Sequence, residues 1–310
     1  MLCCVLTLML GKVNFGFADL LNALAGPEGE DVSHRIFWGL RFPRMMAALL
    51  AGGALAVSGL ALQTVFRNPL CGPFVLGISS GASLGVALAL LAGMGFGHLG
   101  VLGAASTGAL SVTVVIMFIA SRFSQSSVLL IAGLLFGYFI DALVSVIIAG
   151  AQTESLAVYV AWGFGSFGRL TLDAVWLFVV SVVVGLALVV GSVRYLNAAR
   201  IGDDFATGLG INVKLARKCV LLGASILAGA STAFCGPVAF IGIAVPHLAY
   251  MLFGTTNHRI LIPGCLCCGS LFALVAGLFP VSIPLNAILS VVGVPVILYV
   301  ILHGPKGRGA

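Results

Sequence analysis

Charge is what this chain has least of. Only 8% of its 310 residues are Asp, Glu, Lys or Arg, while 61% are hydrophobic and mean hydropathy is +1.20. A soluble domain of this length carries about a quarter charged residues, so a water-soluble globular protein is excluded. The alternation of apolar and polar residues that marks a membrane β-barrel is also missing. With no water in lipid to satisfy the backbone, apolar runs of this length must then be helices. Catalytic signatures are absent too. No GxxxxGK[ST] loop is present, so the chain does not itself hold ATP in that way, and neither HExxH nor GxSxG occurs. No cofactor or metal site is expected. The five histidines are scattered; His247 in AVPHLA and His258 in a loop are read as hydrogen-bonded packing residues. Of the eight cysteines, Cys265, Cys267 and Cys268 cluster, but without CxxC spacing or a nearby His or acid; they are read as small apolar packing residues.

What is present is a series of apolar runs. A short first run, residues 1 to about 11, precedes runs at about 43–66, 74–93, 99–120, 128–150, 172–193, 215–235, 238–254, 261–279 and 284–303. The expectation is a single membrane domain over 1–310, an all-α polytopic bundle of about ten transmembrane helices. The first run spans only if it continues past Lys12, which fits a missing or mis-started N-terminus better than a cleaved signal peptide. Residues 12–40 read as a polar stretch, and 154–170 as a short helix and loop at one surface.

The net charge of +6 does not point to nucleic acid, because the basic residues sit in short loops between spans. One set of loops holds ten of them: Arg67, Arg122, Arg194, Arg200, Lys214, Arg217, Lys218, Arg259, Lys306 and Arg308. The other holds five: Lys12, Arg35, Arg41, Arg44 and Arg169. Basic loops stay in the cytoplasm, which predicts a multi-pass protein with both termini cytoplasmic. The long connection on that side, 194–214, carries Ile201, Phe205, Leu209 and Ile211 on one amphipathic face, with Asp203 and Asp204 where a helix dipole favours acids. Gly77, Gly81 and Gly85, and likewise Gly133 and Gly137, recur at helical spacing; they are read as packing within one subunit rather than a dimer seam. Asp141 falls inside an apolar run. A membrane acid is a functional hypothesis by default. Two readings stand for it: a protonated group bonded to a neighbouring helix, or a residue on a substrate path.

The stretch LRFPRMMAALLAGGALAVSGLALQTVFRNPLCGPFVLGISSGASLG, from Leu40 to Gly85, resembles the signature of the FecCD-type permeases. These are membrane subunits of ABC importers for ferric siderophores, haem and cobalamin. RIGDDFATGLGINV, FCGPVAFIGIAVPHLAYMLFG with HRILIPG, and IPLNAILSVVGVPVILYVIL agree in order, so the resemblance covers nearly everything after residue 12. It implies a vitamin-B12-importer-permease-like bundle in the cell inner membrane, surrounded by lipid. The complex would be a homodimer carrying two cytoplasmic ATPase subunits and a periplasmic or lipid-anchored substrate-binding protein, with ATP held by the ATPases. The resemblance places Arg41 and Arg44 at the docking site for the binding protein. It places Asn68 and Leu70 at the cytoplasmic end of the translocation path, and Gln125 and Ser126 at the cytoplasmic gate. The block Gly202, Asp203, Asp204, Ala206, Gly208, Leu209 and Gly210 falls in the coupling helices that meet the ATPase. Two departures stand out: the short first run, and the abbreviated FPVSIP linker, where relatives carry a longer loop with another basic residue. The chief alternative is an ion-coupled secondary transporter, which Asp141 would serve. An intramembrane enzyme is a weaker one. Neither accounts for the 194–214 block.

Overall fold

A computed structural model describes residues 32–91, 98–123, 125–279 and 283–303, together with Thr7. The first expected span therefore lies almost wholly outside the described residues. Each of the other nine apolar runs contains a helix. Helix α1 runs Val32–Phe66 and starts well before its apolar run, inside the stretch expected to be polar loop. Pro43 explains the form of this extension. Its ring lacks an N–H and collides with the carbonyl four residues back, and the backbone widens into a π turn over Phe37–Arg41 just before it.

The remaining helices are α2 Ile78–Leu91, α3 His98–Arg122, α4 Ser126–Ala149, α5 Thr153–Gly163, α6 Leu172–Gly191, α7 Val193–Ala199, α8 Asp203–Gly208, α9 Val213–Cys235, α10 Ile241–Phe253, α11 His258–Gly277 and α12 Leu285–His303. By length and composition, α1, α3, α4, α6, α9 and α11 can cross a bilayer; α2, α10 and α12 are shorter apolar helices. The 154–170 stretch is α5 followed by a 3-10 turn at Phe167–Arg169.

Helix α1 is the hub. Its residues from Ala51 to Phe66 are all buried, and α6, α9, α10 and α11 pack around it. Lipid gives apolar side chains no reason to hide from solvent, so helices associate through close packing. Small residues set that packing. A β-carbon on Gly59 would lie 1.7 Å from the Gly242 carbonyl oxygen of α10, and one on Gly52 would lie 2.3 Å from that of Gly269 in α11. The glycine stripe of α2 is consumed the same way inside the chain: Gly85 meets Ala104, Gly81 meets Gly108, and Gly77 faces Gly133 and Gly137.

Helices α2 and α10 are short because irregular backbone precedes each. A 3-10 turn at Pro73–Leu76 leads into α2 through Gly77 at φ 69°. Before α10, Gly236 at φ 77° and Phe240 at φ 66° break the chain. Non-helical backbone survives at membrane depth only where protein or a water-filled path satisfies it. Asn286 of α12 does so for the second break, accepting from Ala239 N at 2.9 Å and donating to Pro237 O at 2.9 Å.

Candidate functional site

Two ends of the bundle are distinguished by their chemistry. At one, Arg67, Arg217 and His258 bind into the 193–214 block, Arg200 reaches out of it to the Tyr250 hydroxyl, and Arg122, Lys214 and Lys218 line a cleft beside it. This is the more basic end, as the loop charges predict. At the other, Arg44 Nη2 donates to the carbonyls of Gly277 at 2.7 Å and Phe279 at 3.1 Å.

The basic end is built from the end of α1. Arg67 caps that helix in the left-handed conformation, φ 47° and ψ 37°, unusual for a residue with a side chain. Its guanidinium is held in place: Nε donates to Ala199 O at 3.0 Å, and Nη2 lies 3.8 Å from the Asp203 carboxylate. Asn68 follows and folds back on itself, its Oδ1 accepting from Leu70 N at 3.0 Å, while Leu70 is exposed. His247 Nε2 bonds the Pro69 carbonyl at 2.9 Å. The next residues press on α4, where a β-carbon on Gly133 would lie 3.0 Å from Val75 O. Gln125 sits exposed, with extended backbone, at the N-cap of that helix, and Ser126 is its first residue. The segment that follows Leu70 and the helix that Gln125 caps thus pack against each other.

The 194–214 block is a pair of short helices, as its pattern suggests; Tyr195, Leu196 and Ala206 are buried and Ile211 packs on the core, but the other three residues of the expected apolar face look outward. Ile201 is 68% exposed, Phe205 45% and Leu209 60%. A Schellman ending closes α8: Gly210 adopts φ 76° and donates to Thr207 O, and Ile211 N reaches Ala206 O. The expected coupling residues divide into two groups. Asp204, Gly208, Leu209 and Gly210 are exposed and Gly202 is half-buried, whereas Ala206 is fully buried and supports the surface from beneath. Asp203 turns inward and pairs with Arg217, whose Nε donates to the Tyr195 hydroxyl at 3.3 Å. Burial pushes the Tyr195 phenol up from its ordinary pKa, a shift opposed by its Arg217 hydrogen bond.

A second anchor was not foreseen. His258 is no loop residue; it opens α11 and is completely buried. Nε2 lies 2.8 Å from Thr64 Oγ1 of α1 and Nδ1 lies 2.8 Å from Asn197 Oδ1 of α7. It is a packing residue, as read, but one that ties the 194–214 block to the end of α1.

At the opposite end, Arg41 is 9% exposed and Arg44 is engaged with the last carbonyls of α11. Arg44 also lines a cleft of about 320 Å³ together with Arg169, Phe164, Ser166 and Phe279. Burial depresses the Arg169 guanidinium pKa, and its Nη2 donates to Ala161 O.

Asp141 lies midway along α4 on a face that the described residues leave uncovered, with Leu134, Tyr138 and Ser145 beside it. Among the described residues its carboxylate forms no ion pair or hydrogen bond; Ser145 donates to its backbone carbonyl instead. Tyr159 of α5 is close enough to feel it. Burial raises the Tyr159 phenol, a hydrogen bond with Ser83 opposes this, and the Asp141 charge raises it further. Among the described residues no group of His, Cys, Asp and Glu could hold a metal.

Known proteins share this fold. The profile of the FecCD transport family matches residues 1–303. The chain is 33% identical over 303 residues to the vitamin B12 import system permease protein BtuC of Salmonella typhi, covering 93% of this chain and 92% of that one. The same protein of Salmonella newport gives equal values. A metal-chelate type ABC transporter solved in an inward-facing conformation superposes with a TM-score of 0.84 at 25% identity, covering 97% of this chain and 94% of that one. PsaBC from Streptococcus pneumoniae, solved with a Fab, shares the fold at a TM-score of 0.56 and 13% identity. From a family match that runs nearly end to end, and a third of its residues shared with B12 import permeases over almost its whole length, the chain belongs to the FecCD transport family.

Proposed function

We propose that this chain is the membrane permease subunit of an ATP-driven importer for an iron chelate or cobalamin, working as a dimer with two ATPase subunits and a substrate-binding protein. The observation that carries the reading is the α7–α8 pair. Three large apolar side chains point away from the bundle on a polar segment, while Arg67, Asn197, Arg200 and Asp203 hold the pair rigidly from behind. Apolar surface outside a membrane, rimmed by polar groups, marks a protein contact. A motor subunit gripping Phe205, Gly208 and Leu209 would move this unit. Arg67 and His258 would pass the movement to the end of α1 and so to Asn68, Leu70, Gln125 and Ser126, the path and gate residues. The excess of basic residues at this end makes it the cytoplasmic one. Arg44 and Arg169, which line one cleft, then lie outside together with Arg41, where carboxylates of the binding protein would dock.

The test is assembly. Purified alone, the chain should hydrolyse no ATP; co-purified with its ATPase it should support hydrolysis stimulated by loaded binding protein. Leu209→Glu should weaken ATPase binding more than tenfold without changing the thermal midpoint of the permease. Unchanged binding would remove α8 from the contact.

A further inference from the structure

We propose that Asp141 is a charge filter on the translocation path, favouring cationic or uncharged chelates over polyanionic ones such as a ferric tris-catecholate. The inference rests on the path reading above and adds the class of substrate.

Its first support is placement. Asp141 stands fifteen residues beyond Ser126 on the same helix, about 22 Å up from the gate at 1.5 Å per residue. That depth lies within the hydrocarbon core. An acid there that faced lipid would be severely penalised, yet Asp141 is exposed and lacks an ion pair or hydrogen bond to its carboxylate among the described residues. Water or a second protein surface must therefore cover it. The same face carries Tyr138 and Ser145 beside Leu134, with Ser83 and Tyr159 at its edge, so that four hydroxyls surround the acid on a partly apolar wall.

The second support is the sign of the charge. Between residues 126 and 163, which contain α4 and α5, stand two acids, Asp141 and Glu154, and no Lys, Arg or His, in a chain whose net charge is +6. Glu154 is exposed as well, near the start of α5. In a two-fold dimer each such wall is repeated on the partner. Two walls of one sign repel each other in a dry seam, and are relieved by water and by a passing cation. In a narrow path of low dielectric such a field raises the local concentration of positive solutes and lowers that of negative ones.

The experiment reads the field directly. In the permease–ATPase complex, with the native cysteines replaced and ATPase stimulation verified, a cysteine is introduced by Ser145→Cys and, separately, by Tyr138→Cys. Each is reacted with a cationic and an anionic methanethiosulfonate, with rates normalised to a free thiol. The cationic reagent should react on the order of tenfold faster than the anionic one, and adding Asp141→Asn should bring the ratio near one. If both reagents react and the ratio is the same with Asp or Asn at position 141, the path reading survives and the charge filter falls. If neither reagent reaches either cysteine, the face is not wetted, and the path reading falls with the filter.

Discussion

Asn286 shows how much a single amide can hold in a membrane. It pairs Ala239 N and Pro237 O across a break in the chain, and reaches Gly163 O at 3.4 Å. Replacing it with Ala strands a donor and an acceptor where water is scarce. Asn286→Ala should destabilise by about 1–3 kcal/mol, seen as a lower thermal midpoint in detergent; an unchanged midpoint would mean that the break satisfies itself. Asp203 behaves differently. It neutralises Arg217, whose side chain is 7% exposed, while its own is 38% exposed and reached by water. Asp203→Asn should therefore cost only about 1–2 kcal/mol, discounted for that solvent, and Asp203→Glu should recover part of it. Coupling should suffer more than stability, with ATP turnover retained and uptake per ATP reduced. Equal loss of both would mark Asp203 as merely structural. Partners so distant are not legible in the sequence: Ala239 and Asn286 lie 47 residues apart in the chain, and Thr64 and His258 lie 194 apart.

Among the helices, contact is decided by glycine carbonyls rather than by large side chains. Gly59→Ala would place a methyl group against the Gly242 backbone, which has no flexible end to yield. It should abolish accumulation of a monodisperse protein. Gly103→Ala in α3 meets nothing within 4 Å and should be neutral or stabilising by about 0.5–1 kcal/mol through helix propensity. Size-exclusion profiles of the two variants separate these outcomes, and a well-behaved Gly59→Ala would show that α10 can shift on α1. The positions of nine apolar helices among the described residues were legible because hydropathy is a local property. The start of α1 was not, since residues 32–40 read as polar and only the π turn at Phe37–Arg41 lets the helix run through Pro43. The amphipathic face of 194–214 was legible as a pattern, but pattern alone does not say which way a face points. Ile201 and Leu209 turn out to face away from the bundle.

For the molecule as a whole, the outer cleft offers a test of orientation as well as of docking. Arg44→Gln with Arg169→Gln should weaken association of the binding protein several-fold. The effect should be largest at low salt, where exposed charge is least screened, and ATPase binding at the far end should be untouched. Because Arg44 also bonds the end of α11, each single variant needs its thermal midpoint beside its affinity. If association is unchanged at low salt, the cleft is not the docking site. The ion-coupled alternative is set aside by the family match over residues 1–303. The sequence by itself determined that the chain lives in lipid, roughly where it crosses, and which family it resembles. Those features depend on composition and on motifs contiguous in the chain. Tertiary structure alone decided which backbones the glycine stripes meet and that Asp203 looks inward while Leu209 looks out. It also left Asp141 bare on an open face. Each of these depends on which helix lies beside which, and in a bilayer that choice is made by close backbone approach between residues far apart in sequence.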